Sequence, residues 1–226
     1  MVWRIVLACV AGYLVGSFPT AYLVGRWVKG IDIRRYGTGN VGASNVWNTV
    51  GRLAAVLVAA VDIGKGALSA WLAMGPLDLG YTGGVVAGLC AAAGHAWSLY
   101  LGFTGGRALG SMIGTLLVVF PVGGLLQVAT MLLGFVIHVE HFTTIGLLVL
   151  PLLSLALRQP PAVTWGCVGI LLLTAIKRVE ANRAPLPTGP ERWRVVLRRL
   201  WLDRDVPSHE EWIARRPADV EGKGEG

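Results

Sequence analysis

Charged side chains are scarce in this sequence: Asp, Glu, Lys and Arg make up 15% of its 226 residues, whereas a soluble domain carries about 25%. Hydrophobic residues account for 54%, and the mean hydropathy is +0.60. This composition excludes an ordinary soluble domain and predicts an integral membrane protein. Because each span needs about 20 residues, the length allows several spans and little else, so we expect one helical bundle.

Cysteine is also rare. Cys9, Cys90 and Cys167 are an odd number, and each lies inside an apolar run. They form neither a disulfide framework nor a set with metal-ligand spacing, and they are typical of small buried hydrophobic residues. An internal repeat of the kind common in transporters is missing as well, which disfavours transport.

Seven apolar runs predict an all-α bundle of about seven transmembrane helices. They cover 3–24, 53–74, 83–101, 109–119, 122–137, 142–157 and 162–176. The first run contains no signal-peptide cleavage site, and we expect it to bend near Pro19. Lys and Arg are in excess in the loop 26–52 and in the C-terminal tail, so the positive-inside rule makes these segments cytoplasmic and places the N-terminus outside.

The chain divides by composition into a membrane domain, 1–189, and a basic tail, 190–226. Within the tail, five apolar residues recur at helical spacing opposite several arginines, namely Trp193, Val196, Leu197, Leu200 and Trp201. Such an amphipathic helix is expected to lie along the anionic inner leaflet; a solvated basic helix is the alternative. The residues after Pro217 are predicted to be disordered.

A polar, glycine-rich loop occupies 32–52, between the first two apolar runs. Gly37, Gly39 and Gly42 allow backbone N–H groups to turn inward together, as in an anion-binding nest. The side chains that can hold sugar or glycerol oxygens are those of Thr38, Asn40, Ser44, Asn45 and Asn48. We therefore expect a small phosphate-bearing ligand; a turn without function is the alternative.

A second polar, glycine-rich stretch, 95–111, returns to the same side of the membrane. Gly105 and Gly106 precede Arg107 just before a predicted helix, where free N–H groups and the helix dipole favour an anion. Two such loops on one face predict a binding site. His95 is a candidate catalyst, with a hydrogen-bonded structural histidine as the alternative.

Ionisable residues within the apolar runs are the next candidates. Asp62 and Lys65 are separated by three residues, so they can pair on one helix face inside the bundle, either as a structural ion pair or in catalysis. His138, Glu140 and His141 raise the question of a metal, but HxxH is not the HExxH zinc signature. We predict neither a metal nor a cofactor.

Several stretches together resemble the bacterial acyl-phosphate glycerol-3-phosphate acyltransferases of the PlsY family. They are GSFPTAYLVGR from 16, YGTGNVGASN from 36, DIGKG from 62, GHAWSLYLGFTGGRALG from 94 and NRAPLPTGPE from 182. The resemblance implies a seven-helix bundle that moves an acyl chain from acyl phosphate to the first hydroxyl of glycerol 3-phosphate, giving lysophosphatidic acid. It also implies a site on the cytoplasmic face of the bacterial plasma membrane, contact with membrane lipid and no nucleic-acid partner.

The residues and the resemblance together nominate a site. Catalytic candidates are Thr38, Asn40, Asn45, Asn48, Lys65, His95, Arg107, Asn182 and Glu191. Phosphate-binding candidates are Gly37, Gly39, Gly42, Ser44, Gly105, Gly106 and Arg107, and secondary candidates are Arg52, Asp62, His138 and His141. Because acyl phosphate is already activated, direct transfer needs no covalent intermediate, and positioning and charge stabilisation can carry much of the rate.

This chain differs from the usual family motifs at several positions. Thr38 and Asn48 stand where the first motif usually has Ser and Arg, and Arg107 stands where the second has Lys. In the third motif, Val179 and Pro185 replace the usual His and Arg. An inactive relative that binds lipid or a protein partner, and a small membrane transporter, are therefore the alternative functions.

Overall fold

The computed structural model describes residues 1–137, 139, 141–180 and 186–204. These residues form α1 (Val2–Ser17), α2 (Thr20–Lys29), α3 (Ala43–Thr49), α4 (Arg52–Met74), α5 (Gly80–Ala96), α6 (Leu109–Val119), α7 (Pro121–Val136), α8 (His141–Ala156), α9 (Pro161–Glu180) and α10 (Glu191–Leu202). The candidate site residues His138 and Asn182, together with Glu140 and the predicted disordered end of the tail, lie outside the described residues.

The helices follow the predicted apolar runs, and the predicted bend in the first run is a complete break. The chain is interrupted between α1 and α2 around Pro19, whose missing N–H and fixed backbone angle disfavour a continuous helix. The break leaves carbonyl groups at the end of α1 for other donors. Ser98 Oγ donates to Ser17 O at 2.5 Å, and Lys65 Nζ donates to Phe18 O at 2.6 Å.

The predicted all-helical membrane fold is confirmed. Three segments of the described chain are long and apolar enough to cross a bilayer: Val2–Lys29, Arg52–Met74 and Pro161–Glu180. Helices α6, α7 and α8 are apolar but shorter. The 11 residues of α6 rise only about 16 Å, roughly half of a bilayer's hydrocarbon thickness. The number of crossings and their orientation therefore stay predictions.

Small residues bring the central helices into backbone contact. A methyl group added at Gly12 of α1 would lie 2.5 Å from Ala87 O of α5. Gly66 of α4 packs in the same way against the backbone of Ser111 in α6, and Gly114 of α6 packs against that of Ile63 in α4. Such close approach is typical of membrane helices, which associate through packing rather than through a hydrophobic effect between them.

The loop between α2 and α4 is more structured than the sequence suggests. It contains the helix α3, and three of its apolar residues, Ile33, Val41 and Val46, are buried in a cluster with Ala55 and Val58 of α4. The prediction of a simple polar loop was wrong here. A helix of seven residues is too short to show a clear hydrophobic period, and the glycines around it mask the apolar anchors.

The tail forms the expected amphipathic helix, but one of its arginines faces the protein. Arg199 is buried, and its Nη1 donates to Val179 O in the last turn of α9 at 2.8 Å, a common way to satisfy the carbonyls of a helix end. Trp193 and Leu197 are exposed on α10. The tail helix therefore makes a polar contact with the bundle through Arg199 and leaves Trp193 and Leu197 outside.

Candidate functional site

A buried cluster of ionisable side chains lies at the level of the break between α1 and α2. Lys65 Nζ is 2.7 Å from Asp62 Oδ1, which confirms the predicted pairing on one face of α4, and His95 Nδ1 of α5 lies 3.6 Å from the same oxygen. All three side chains are less than a tenth exposed. Buried charges persist when they are paired and hydrogen-bonded, and here Phe18 O supplies a further acceptor for Lys65.

A small cavity of about 10 Å³ adjoins this cluster. Its lining includes Thr20, Asp62, Lys65, His95 and Gly105. This volume suits about one water molecule. Among the described residues, Thr20 Oγ1 is buried without a hydrogen-bond partner, so a polar group that enters the cavity would meet a hydroxyl, an ammonium and a carboxylate together.

Asn45 holds the first glycine-rich loop together. Its side chain is fully buried; Nδ2 donates to Ile33 O, Tyr36 O and Asn40 O at 3.0–3.1 Å, and Oδ1 accepts from the N–H of Thr38 at 3.2 Å. The amide of Asn45 thus bonds to the loop itself and shapes it, and its catalytic role stays a prediction. The sequence alone could not distinguish a catalytic asparagine from one that shapes the loop, because both roles use the same hydrogen-bonding groups of the amide.

Two other candidates in this loop have polar atoms turned inward. Thr38 Oγ1 accepts from the N–H of Asn40 at 3.4 Å, and Asn40 Oδ1 is buried with no hydrogen-bond partner among the described residues. Gly37 and Gly39 have positive φ angles of 53° and 69°, which glycine adopts without strain. Asn40 Oδ1 therefore keeps the capacity to accept a hydrogen bond.

Arg34 connects the two loops. Its Nε and Nη2 bind the carboxylate of Asp32 at 2.9 and 2.7 Å, and its Nη1 reaches Thr104 Oγ1 in the second loop at 3.5 Å. Because Arg34 donates these hydrogen bonds, the pKa of Asp32 lies below its ordinary value. This partly buried clamp is not among the predicted site residues, and Arg34 enters the sequence prediction only through the excess of Lys and Arg in the loop 26–52.

The two loops meet at Gly106. A methyl group added there would lie 2.5 Å from Val41 O of the first loop and would collide with Nε2 of His95. The N–H of Gly106 donates to His95 O at 3.1 Å, and Gly105 also packs against that carbonyl. The structure therefore brings the second predicted loop, the first loop and the buried cluster to one point.

Arg107, the cation of the second loop, is mostly buried and paired. Its Nε donates to Asp203 Oδ1, just beyond α10, at 2.7 Å, and its side chain is 12% exposed. The helix expected directly after this loop is confirmed as α6, with Ala108 as its N-cap residue. The partner of Arg107 lies 96 residues away in sequence, so local spacing gave no sign of it.

A further cation beside the loops was not predicted as a site residue. Lys177 of α9 is buried, 3.5 Å from Glu180 Oε1 and 5.0 Å from the ring centroid of Trp97. Trp97 Nε1 donates to Glu180 Oε2 at 2.7 Å. The separation of three residues between Lys177 and Glu180 is the sequence signal that could have identified this pair.

The remaining candidates lie apart or on the surface. Ser44, Asn48 and Glu191 are exposed. Arg52 lies over the ring of Trp47 at 5.5 Å, and His141 packs against Trp201 of α10 with ring centroids 5.6 Å apart. Within the part of the chain that the structure describes, His, Cys, Asp and Glu form no group of three that could hold a metal ion.

Comparison with known proteins identifies the family. Residues 6–186 match the family model described as glycerol-3-phosphate acyltransferase. The chain belongs to this glycerol-3-phosphate acyltransferase family. It is 40% identical over 215 residues to glycerol-3-phosphate acyltransferase 4 of Dehalococcoides mccartyi strain CBDB1, and the match covers 92% of each chain. It is 37% identical over 223 residues to glycerol-3-phosphate acyltransferase 5 of strain ATCC BAA-2266, and the match covers 96% of this chain and 95% of that one.

Solved structures give the same assignment. The chain resembles PlsY (YgiH), an integral membrane glycerol 3-phosphate acyltransferase, in its glycerol 3-phosphate form with a TM-score of 0.70 and 26% identity, covering 77% of this chain and 88% of that one. The lysophosphatidic acid form gives a TM-score of 0.68. Both of the glycine-rich loops lie inside the region matched by the acyltransferase family, whereas α10 lies beyond its end.

Proposed function

We propose that this chain transfers an acyl chain from acyl phosphate to the 1-hydroxyl of glycerol 3-phosphate, producing lysophosphatidic acid and phosphate. The observation that carries the proposal is the meeting of both family loops at Gly106, next to Asp62, Lys65 and His95. The names of the relatives support the same reaction. Glycerol 3-phosphate is a soluble dianion, and acyl phosphate carries its phosphate on an apolar chain. An enzyme that uses both substrates needs anion-binding loops beside a membrane.

The reaction forms one C–O bond, breaks another and moves the hydroxyl proton to a base. The hydroxyl oxygen of glycerol 3-phosphate attacks the acyl carbonyl carbon, the bond from that carbon to the phosphate oxygen breaks, and phosphate leaves with the bonding electrons. Asn40 Oδ1 orients the hydroxyl. His95 turns Nε2 toward the second loop and Nδ1 toward Asp62, so it is placed to accept the hydroxyl proton.

Charge stabilisation is assigned to the cations around the second loop. The N–H of Gly106 donates to His95 O, so Arg107 and the other backbone N–H groups of the second loop hold the phosphate of the acyl donor. Lys65 stabilises negative charge that develops beside the cavity. Asp62 neutralises Lys65 in the resting protein, at 2.7 Å. No thiol takes part, because Cys9, Cys90 and Cys167 all lie within the apolar helices.

The direct test uses the purified chain in lipid with acyl phosphate and glycerol 3-phosphate. Lysophosphatidic acid should form together with an equal amount of phosphate above that released by hydrolysis of acyl phosphate, and no lysophosphatidic acid should form when the acceptor is omitted. An inactive relative would give no product in either reaction, and a transporter would instead move solute into sealed vesicles. Failure of transfer by folded protein would refute the proposed function.

Arg107→Ala should lower kcat/KM about 10- to 100-fold, since a charge-assisted hydrogen bond contributes about 1.5–3 kcal/mol. Arg107→Lys keeps the charge and should retain much of the activity, although it loses the planar fork. Steady-state kinetics on equal amounts of folded protein provide the measurement. Arg4→Ala, which removes an exposed arginine at the N-terminal end of α1, is the matched control. Unchanged kcat/KM for both Arg107 variants would show that Arg107 does not bind the phosphate of the acyl donor.

The site is proposed to face the cytoplasm of the plasma membrane, as the distribution of Lys and Arg suggests. Cysteines introduced at Thr38 and at Thr188 should be protected from an impermeant thiol reagent in intact cells and should react after the cells are opened. A cysteine at Pro76, in the turn between α4 and α5, should react from outside. Labelling of Thr38→Cys or Thr188→Cys in intact cells would contradict this orientation.

A further inference from the structure

We propose that Asp203 is a positioning residue for Arg107, so that the tail helix α10 completes the acyl-phosphate site. This inference rests on the proposed function of the second loop. Asp203 lies beyond residues 6–186, which match the family model. It therefore adds to the site a residue that lies outside the matched family model.

The contact leaves part of the guanidinium available. Arg107 Nε donates to Asp203 Oδ1 at 2.7 Å, and Nη1 and Nη2 make no hydrogen bond with the described residues. A guanidinium is planar and presents its donors in a fixed fork, so fixing one edge sets the direction of the other donors. Asp203 thus restricts the rotation of Arg107 while leaving its two terminal nitrogens for the phosphate oxygens of the donor.

Buried contacts hold Asp203 in this place. Arg178 Nη1 donates to Leu200 O at 2.6 Å, and Thr144 Oγ1 donates to Trp201 O at 3.1 Å. These bonds attach the last turn of α10 to α8 and α9. The N–H of Asp203 then closes the helix by donating to Arg199 O at 3.0 Å. The carboxylate is consequently carried by an anchored helix end rather than by a free tail.

The helix dipole does not account for an aspartate at this position. The residue is the C-cap of α10 and has the left-handed angles φ 55° and ψ 29°, which favour glycine and which Asn and Asp also tolerate. A negative charge is also unfavourable at the C-terminal end of a helix dipole. The contact that accounts for a carboxylate here is the ion pair with Arg107.

The neighbourhood remains suitable for an anion. Arg178 interacts electrostatically with both Asp203 and Arg107, and Lys177 interacts with Arg107. Glu180 lies 3.5 Å from Lys177, so two carboxylates stand among three cations, and the local charge stays positive. Asp203 orients one of these cations without cancelling the attraction for a phosphate group.

The test compares Asp203→Gly and Asp203→Asn with Asp78→Gly. Glycine suits the left-handed backbone at both positions, and Asp78 is an exposed aspartate in the turn between α4 and α5 with a φ of 51°. Asp203→Gly should raise the KM for acyl phosphate about tenfold, with kcat and the KM for glycerol 3-phosphate changed less than about twofold. Asp203→Asn keeps an oxygen that can accept the hydrogen bond from Arg107 Nε. Its KM for acyl phosphate should therefore lie between those of the unmodified protein and Asp203→Gly. Asp78→Gly should match the unmodified protein.

A second comparison asks whether Asp203 acts through Arg107. Lysine has no Nε–H at the guanidinium position, so in an Arg107→Lys background Asp203→Gly should change the KM less than about twofold. Thermal unfolding in detergent should show equal midpoints for the Asp203 and Asp78 variants, which separates positioning from loss of the fold.

Three outcomes would overturn the inference. Kinetics of Asp203→Gly that equal those of Asp78→Gly would show that the contact has no role. A lower KM for acyl phosphate would mean that Asp203 competes with the donor phosphate, and the same change in both backgrounds would mean that it acts independently of Arg107. Each of these leaves the proposed function intact if the unmodified protein transfers acyl groups, whereas absence of that transfer refutes both.

Discussion

Lys65→Met is expected to reduce acyl transfer about 100- to 1,000-fold, the usual effect of removing a preorganised electrostatic group. The substitution keeps the length of the side chain but removes its charge. It leaves Asp62 as a buried carboxylate without its cation, and breaking a buried pair in this way typically costs about 3–5 kcal/mol of stability. Activity per folded molecule and the thermal unfolding midpoint in detergent should therefore both fall.

The double variant Asp62→Asn with Lys65→Met separates the structural role of the pair from a catalytic one. With neither charge present, no uncompensated ion remains in the bundle, and most of the lost stability should return. If Lys65 stabilises charge during transfer, activity should stay low in this stable protein. Recovery of both stability and activity would show that the pair only fixes the packing of α4.

Gly106→Ala is expected to lower acyl transfer at least about 100-fold. Its methyl group would lie 2.5 Å from Val41 O and against the ring of His95, so the second loop must move away from both. A displacement of about 1 Å at a catalytic site can cost about 100-fold in rate. The measurement is kcat/KM for both substrates with equal amounts of folded protein.

Gly64→Ala is the matched control for this substitution. Gly64 lies on α4, and a methyl group added there meets no atom within 4 Å. Because alanine favours a helix by about 1 kcal/mol over glycine, the control should be at least as stable as the unmodified protein and fully active. Equal activity of Gly106→Ala and Gly64→Ala would show that the two loops need not meet closely for catalysis.

The class of the protein and most of its helices could be predicted from sequence because hydrophobicity is read over windows of many residues. The apolar runs located α4 and α6–α9 within a few residues, and Pro19 marked the break after α1. The pairing of Asp62 with Lys65 followed from helical spacing alone. These features depend on neighbours along the chain, whose relative positions a helix fixes.

Roles within the loops were harder to predict because one residue type serves several purposes. Asn45 and Asn40 are both amides in the same motif, yet the first bonds to the loop backbone and the second leaves Oδ1 without a partner among the described residues. The chain around them has to fold before either role is defined. Residue type and spacing therefore nominated the loop and could not rank its members.

By itself, the sequence determined that this is a helical membrane protein with two glycine-rich loops and a buried ion pair, because composition, periodicity and short spacing are local properties. Only the tertiary structure decided that the loops meet at Gly106 beside His95, and that Asp203 reaches Arg107 across 96 residues. These contacts depend on how whole helices pack. That packing is set by the summed fit of many small residues, so no short stretch of sequence specifies which side chains come together.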